Sequence, residues 1–132
     1  MIVNSAYALN SYTNAKVMST TDPLELVIML YDGAIESLEK AATAMTAQQR
    51  ANKIRYIDKS LAIIDELLNA LNPEVGGEVA ENLMHLYLYM MQELTIANAQ
   101  NNAHKLFEII ELLKQLKSGW TAIRGVVRAS LS

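Results

Sequence analysis

The chain of 132 residues contains no cysteine, two prolines, one tryptophan and one phenylalanine. Without cysteine it can form neither a disulfide bond nor a thiolate metal site, which is typical of proteins in a reducing cytosol. Acidic residues outnumber basic ones, the net charge is −3, and both signs are interspersed. The basic face that a nucleic-acid-binding protein needs is therefore missing, and we predict no nucleic-acid partner.

Long apolar runs are missing as well. The longest unbroken run, Leu26 to Tyr31, is far shorter than the roughly 20 residues that a membrane span needs. Residues 1–5 lack the basic region and the apolar core of a signal peptide. No stretch alternates polar and apolar residues between turn signals, so no strand is predicted. These absences predict an all-α protein in the cytosol that does not insert into membranes.

Apolar side chains, in contrast, are abundant. They make up 52% of the residues, and the mean hydropathy is +0.12, which is high for a small protein. A chain of this length can bury one core, so we predict a single helical domain over residues 1–132. Residues 1–21 have no sustained period and are predicted to form a flexible arm, followed by the bundle and tail in 22–132. Some apolar surface is expected to stay uncovered.

Four helices follow from the apolar periodicity. Asp22 as N-cap, Pro23 at the first position and Glu25 in a capping box predict the first helix start. A stop at Asn72-Pro73 ends the second helix. The predicted core positions are Leu24, Val27, Tyr31, Ala34, Leu38, Ala41 and Met45 on the first helix, Ile54, Ile57, Leu61, Ile64, Leu68 and Leu71 on the second, Val79, Leu83, Leu86, Met90 and Leu94 on the third, and Leu106, Ile109, Ile110, Leu113 and Leu116 on the fourth.

The connections between these helices are short. The third helix is predicted over 78–99, and the polar break 100–102 leads to the fourth. Because short connections favour antiparallel neighbours, the pattern predicts an antiparallel up-down four-helix bundle. Gly119 is expected to interrupt the fourth helix, so that Trp120 and Ile123 belong to a short C-terminal fifth helical turn.

Residues that carry out catalysis or bind metals are sparse. His85 and His104 each lie four residues from a glutamate, whereas dinuclear metal sites in helical bundles use Glu-x-x-His at a spacing of three. Exposed ion pairs are the favoured interpretation. A glycine-rich phosphate loop and a nucleophile–base set are also missing. We predict no enzyme activity, no cofactor and no metal; a bundle metalloenzyme is the alternative that metal analysis of the purified protein would test.

Apolar residues outside the core positions indicate a binding surface. Such residues can fill a wide core, but tyrosine and methionine are enriched in adaptable interfaces. We expect a groove for a partner's amphipathic helix, which tyrosines of the arm cover when the groove is empty. The predicted partner-binding residues are Tyr7, Tyr12, Leu83, Met84, Tyr87, Leu88, Met91 and Phe107.

Several sequence blocks together form a specific pattern that covers nearly the whole chain. The blocks are Val17-Met18-Ser19, Pro23-x-Glu25-Leu26, Met29-Leu30-Tyr31-Asp32-Gly33-Ala34, Gly76-Gly77-Glu78-x-Ala80-x-Asn82-Leu83, Leu86-Tyr87-x-Tyr89-Met90, Leu94-x-x-Ala97-Asn98, Leu112-Leu113 and Trp120. In this order they resemble FliS, the flagellin-export chaperone family. Two departures are an extra residue within 20–22 and Leu88, at a position where the family often has an acidic residue.

The resemblance implies a chaperone for newly made flagellin. Such a protein binds the disordered C-terminal segment of flagellin in the bacterial cytosol, prevents premature polymerisation and delivers the subunit to the flagellar export apparatus. Without cargo, the exposed patch would permit self-association. A helical adaptor for another amphipathic segment, from a regulator or a different secretion substrate, is the alternative. Co-purification with flagellin would distinguish the two.

Overall fold

Four helices pack into a bundle in this computed structural model, which describes residues 22–131 without the side chains of residues 127, 128, 130 and 131. The helices of this region are α1 (Pro23–Thr46), α2 (Arg50–Asn69), α3 (Pro73–Gln100) and α4 (Ala103–Leu131). Each of α1 and α3 packs against both α2 and α4. The predicted antiparallel four-helix bundle is confirmed. The predicted arm, residues 1–21, lies outside the described residues.

The start of α1 has the N-cap that the sequence predicts. The N–H of Leu24 donates to Oδ1 of Asp22 at 2.9 Å, and Pro23 occupies the first helical position, where no N–H is needed. Glu25 also bonds across the bundle, since its carboxylate accepts from Arg124 of α4 at 2.5 Å. A capping-box pattern does not predict that contact, which ties the start of α1 to the far end of α4.

Two polar turns, at the same end of the bundle, close with residues in the left-handed region. Gln48 after α1 has φ 60° and Asn101 after α3 has φ 51°. The next N–H in each turn bonds back to the helix, Gln49 to Ala44 O at 2.8 Å and Asn102 to Ala97 O at 3.0 Å. The side chain of Asn102 then accepts from the N–H of Lys105 and caps α4. Adjacent asparagines therefore end one helix and begin the next.

The connection from α2 to α3 contains a short kinked turn. Asn72 caps this turn by accepting from the N–H groups of Glu74 at 3.1 Å and Val75 at 3.4 Å. Gly77 then breaks the helical geometry with φ 52° and ψ −126°, a conformation open to glycine alone. The regular part of α3 therefore begins near 78, as predicted. The expected stop at Asn72-Pro73 is in fact the start of the kinked turn.

The core agrees with the predicted positions on α1 and α4 and in part on α2 and α3, where Ile57, Ile64, Leu83, Met90 and Leu94 are buried as predicted. On α2, Lys53, Ser60, Ile63 and Leu67 are buried, whereas Ile54, Leu61 and Leu68 are half-buried, because this helix turns a wide stripe to both neighbours. The buried residues of α3 are Ala80, Leu83, Tyr87, Met90, Leu94 and Ala97.

One predicted core position on α3 was wrong, and a second lies at the edge of the core. Val79 is exposed and Leu86 is half-buried, whereas Ala80 and Tyr87 are buried. The apolar residues of α3 fit two helical phases, and the buried partner of Tyr87 selects one of them. The hydroxyl oxygens of Tyr31 and Tyr87 lie 2.5 Å apart in a buried hydrogen bond.

This tyrosine pair joins three of the helices. The ring of Trp120 on α4 packs against Tyr31 with 6.5 Å between ring centroids. Burial raises the pKa of both tyrosines, so their hydroxyls stay neutral and paired through the physiological range. A buried hydroxyl without a partner would be costly, so the pair favours one rotation of α3 relative to α1.

The prediction of a break at Gly119 and a separate fifth turn was wrong. α4 is one helix from Ala103 to Leu131. An exposed glycine inside a helix costs only about 1 kcal/mol relative to alanine. Residues that follow Gly119 hold the helix in place and offset this cost, since Trp120 packs on Tyr31 and Arg124 bonds Glu25.

We expect Tyr87→Phe to lower the free energy of unfolding by about 1–3 kcal/mol, because the hydroxyl of Tyr31 loses its Tyr87 partner in the core. Urea denaturation followed by circular dichroism measures the loss. The double variant Tyr31→Phe/Tyr87→Phe should cost less than the sum of the two single variants. Tyr89→Phe, at an exposed position, is the control. Strict additivity of the two single changes would contradict a coupled pair.

A second prediction concerns the cap of α1. Asp22→Ala should lower the free energy of unfolding by roughly 1 kcal/mol, because the N–H of Leu24 loses its acceptor. Thermal unfolding measures this change. Asp22→Asn is the matched control and should retain most of the stability, since asparagine caps equally well. Equal losses in the two variants would show that charge, rather than the cap bond, matters at this position.

Candidate interaction surface

Exposed large apolar side chains lie on two of the four helices. Among the described residues, α1 and α2 carry none of them, because α1 is enclosed by its neighbours and α2 exposes mainly polar groups. Concentration of apolar surface on adjacent helices is typical of an interaction site. The exposed large apolar residues are Val75, Val79, Leu88, Tyr89 and Ile96 on α3, and Phe107, Ile123 and Val126 on α4.

The helices α3 and α4 pack together least extensively of the four neighbouring pairs, and we infer a shallow apolar groove between them. The ion pair between Glu93 and Lys105, 3.6 Å apart, fixes their antiparallel register. About two turns from this bridge, helical periodicity places Leu86 opposite Leu112. We define the α3–α4 groove by a half-buried floor of Leu86, Leu112 and Leu116 and exposed walls of Val79, Tyr89 and Ile123.

The two ends of the α3–α4 groove differ in chemistry. At one end, Lys105 bonds Glu108 at 2.8 Å in addition to Glu93. The hydrogen bond to Glu108 raises the pKa of Lys105, and the same bond lowers the pKa of Glu108, so both remain charged at neutral pH. The other end is apolar and includes Val79 and Ile123. An amphipathic ligand would therefore bind with a preferred direction.

The kinked turn at the start of α3 presents two valines to solvent at the apolar end. Val75 is 85% exposed and Val79 is 66% exposed. Gly77 provides the backbone conformation of the kink, and a Cβ on Gly76 would come within 2.8 Å of the Cβ of Ala80. Both glycines are therefore needed for this turn, which directs apolar side chains outward rather than into the core.

The predicted partner-binding residues fall into three groups. Leu83 and Tyr87 lie in the core, so their side chains do not line a surface groove. Met84, Met91, Leu88 and Phe107 are half-buried or exposed. The remaining predictions, Tyr7 and Tyr12, lie outside the described residues.

The predicted partner-binding residues that are accessible to solvent do not form one patch. Met84 and Met91 share a stripe of α3 with Asn98, whose carbonyl accepts from Lys53, so this stripe and the adjacent Leu88 face α2. Phe107 instead shares a stripe of α4 with Lys114, which lies 3.9 Å from Glu39 of α1. The structure therefore separates Leu88 from Phe107 by the width of the bundle.

None of the wall residues of the α3–α4 groove is among the partner-binding residues predicted from the sequence. Tyr89 and Ile96 recur seven residues apart, which places them on one stripe of α3, but the same helix carries a second apolar stripe. Only the burial of Tyr87 shows which stripe remains outside. Ile123 was assigned to a separate tail because of the expected break at Gly119.

Each histidine is exposed and lies close to a glutamate four residues away on its own helix. His85 is 3.8 Å from Glu81, and His104 is 3.3 Å from Glu108. Within residues 22–131, no cluster of three or more potential metal ligands is present. None of the described helices combines the length and the apolar character that crossing a membrane requires.

The sequence matches the family described as "Flagellar protein FliS" over residues 4–126. The chain belongs to the FliS family of flagellar secretion chaperones. It is 38% identical over 119 residues to the flagellar secretion chaperone FliSB of Pseudomonas aeruginosa, a match that covers 88% of this chain and 94% of that protein. It is 39% identical to FliS of Salmonella typhimurium, covering 89% of this chain and 87% of that protein. The predicted family is confirmed.

A solved structure described as a flagellar chaperone from bacteria has the same fold. Its TM-score is 0.73 at 20% identity, and the match covers 94% of this chain and 98% of that chain. At this identity the likeness supports the helical-bundle fold alone. Because the FliS family consists of chaperones rather than enzymes, the prediction that the chain is not an enzyme is confirmed through its family.

Proposed function

We propose that this protein is a cytosolic export chaperone that binds the C-terminal segment of flagellin in the α3–α4 groove. The observation that carries the proposal is the restriction of exposed large apolar side chains, within residues 22–131, to α3 and α4. A chaperone of the flagellar secretion family requires such a surface to hold an unfolded apolar cargo segment. Holding this segment prevents premature polymerisation and keeps the subunit competent for delivery to the export apparatus.

The shape of the groove suits an amphipathic helix. Leu86 and Leu112 provide a floor that packs on the core, and Tyr89 forms part of a wall. An incoming helix would place its apolar face at i, i+3, i+4 and i+7 along this floor, while its polar face stays in water. A disordered segment that folds on binding bears an ordering cost, which burial of a standard-sized interface offsets.

A longer cargo segment would also reach the α2-facing flank of α3. Met84, Leu88 and Met91 line this flank and have the adaptable or aliphatic side chains that suit variable sequences. We include them as secondary contacts. We leave out Leu83 and Tyr87 because they are core residues. Phe107 lies on the opposite flank of α4, and its role remains a prediction that the next experiment tests.

Substitutions at two residues of α4 with similar exposure test whether cargo binds in the α3–α4 groove. Ile123 is 50% exposed in the α3–α4 groove and Phe107 is 53% exposed outside it. Ile123→Ser should weaken binding of a flagellin C-terminal peptide at least tenfold, because removing an interface anchor costs about 2 kcal/mol. Phe107→Ser should leave the affinity within about twofold. Isothermal titration calorimetry measures both, and circular dichroism verifies folding.

Two outcomes of this experiment would contradict the proposal. If Phe107→Ser weakens binding more than Ile123→Ser, cargo binds at the α1–α4 flank and the α3–α4 groove is misplaced. If the wild-type protein does not bind the flagellin peptide while it captures another amphipathic segment, the adaptor alternative replaces the flagellin proposal.

The N-terminal arm gives a further prediction from the sequence. Tyr7 and Tyr12 are expected to cover the empty binding surface. Molecules with a covered surface cannot bind cargo, so the fraction in this closed state lowers the apparent affinity for cargo. Deletion of residues 1–16 should raise the association rate for the flagellin peptide and increase oligomer formation without cargo. Stopped-flow fluorescence and light scattering measure the two effects. Substantially weaker binding after deletion would show that the arm contacts cargo directly instead of covering the groove.

A further inference from the structure

Lys53 is a buried cation that has no carboxylate partner among residues 22–131. It is 6% exposed, and its Nζ donates to the carbonyl of Asn98 at 3.0 Å and to Oδ1 of Asn101 at 2.7 Å. Both acceptors are neutral, and Lys53 forms no ion pair with any residue in the described part of the chain. A buried ammonium group is strongly disfavoured unless an opposite charge or a full set of hydrogen bonds compensates it. The third N–H of Lys53 remains available for such a partner.

This lysine lies in the wall of a cleft of about 780 Å³ between the α1–α2 turn and the end of α3. Arg50 adds a second positive charge, and it too is without an ion-pair partner among residues 22–131. The lining contains no carboxylate, so the charge of the cleft is positive. The lining residues are Ala44, Met45, Gln48, Gln49, Arg50, Lys53, Ile54, Thr95, Asn98, Ala99 and Asn101.

The lining suits a ligand with two kinds of group. Lys53 and Arg50 would bind an anion, and the amides of Gln48 and Gln49 can donate further hydrogen bonds. Met45 and Ile54, together with two alanines, form an apolar part beside these cations. A carboxylate attached to an apolar side chain satisfies both parts of the cleft. The terminal residue of a peptide is the simplest group with this chemistry.

We propose that the cleft binds a peptide carboxylate, supplied by the free C-terminus of the segment that occupies the α3–α4 groove. The proposal rests on the proposed function and specifies the orientation of its cargo. The cleft lies at the turn end of the bundle, and Asn98 in its wall shares a stripe of α3 with Met84 and Met91 on the α2-facing flank. A segment that continues from the groove onto this flank would bring its C-terminus towards Lys53 and Arg50.

The test compares two forms of one flagellin C-terminal peptide, with a free C-terminus or a C-terminal amide, by titration calorimetry with the full chain. Amidation removes the charge and should weaken binding roughly tenfold, as expected for loss of charge-assisted hydrogen bonds. Arg50→Gln and Lys53→Met should each reduce this difference between the two peptides. Arg50 is exposed, so its replacement should leave the fold intact even if Lys53→Met lowers stability. Arg55→Gln, an exposed cation of α2 outside the cleft, is the matched control.

Each outcome has a separate meaning. If neither peptide binds, the proposed function itself fails. If both bind equally and Arg50→Gln changes neither affinity, the cleft is not a carboxylate site, while the groove proposal stands. If both bind equally but Arg50→Gln weakens both and Arg55→Gln weakens neither, an acidic side chain within the segment supplies the carboxylate, which overturns the C-terminal assignment.

Discussion

The buried hydrogen bond between Tyr31 and Tyr87 determines which surface this bundle presents. Their hydroxyls meet at 2.5 Å in the core, where an unpaired hydroxyl would be costly. This requirement fixes the rotation of α3, since turning the helix by one residue would remove Tyr87 from its partner. With Tyr87 inside, Leu86 lies at the side and Tyr89 lies outside. The apolar groove is therefore a consequence of a core contact, although none of its own residues belongs to the tyrosine pair.

Ion pairs hold α4 against α1 and thereby fix the position of the helix that forms the second wall of the groove. Glu25, Asp32 and Glu39 recur every seven residues on α1 and pair with Arg124, Lys117 and Lys114 in reverse order. Each partly exposed pair contributes little to stability. Their antiparallel order nevertheless favours one register of α4 against α1, and the pair between Glu25 and Arg124 holds α4 in place beyond Gly119. Ile123 is consequently part of a helix that flanks the groove.

Local signals explain which parts of this structure the sequence predicts. The N-cap at Asp22, the polar break at 100–102 and the apolar periods depend on neighbours in the chain, and the helices and bundle follow from them. The phase of α3 depends on Tyr31, far away in sequence, so its apolar residues could not be divided between core and surface beforehand. The burial of Lys53 similarly requires Asn98 and Asn101 of another helix. The predicted binding residues consequently included core members and omitted the walls of the groove.

Separation of the core from the binding surface has a mechanical consequence. The floor of the groove packs on the core through Leu86 and Leu112, whereas its walls project into solvent from helices that are already complete. Under the proposed function, cargo would bind and leave without repacking Tyr31 or Tyr87, so that release would not require unfolding of the chaperone. The strained backbone at Gly77 fits this division, because it keeps Val75 and Val79 outside a core that would otherwise stabilise them. A surface built in this way needs no rearrangement of the core to receive a disordered ligand, which suits the proposed role as a chaperone for an unfolded export substrate.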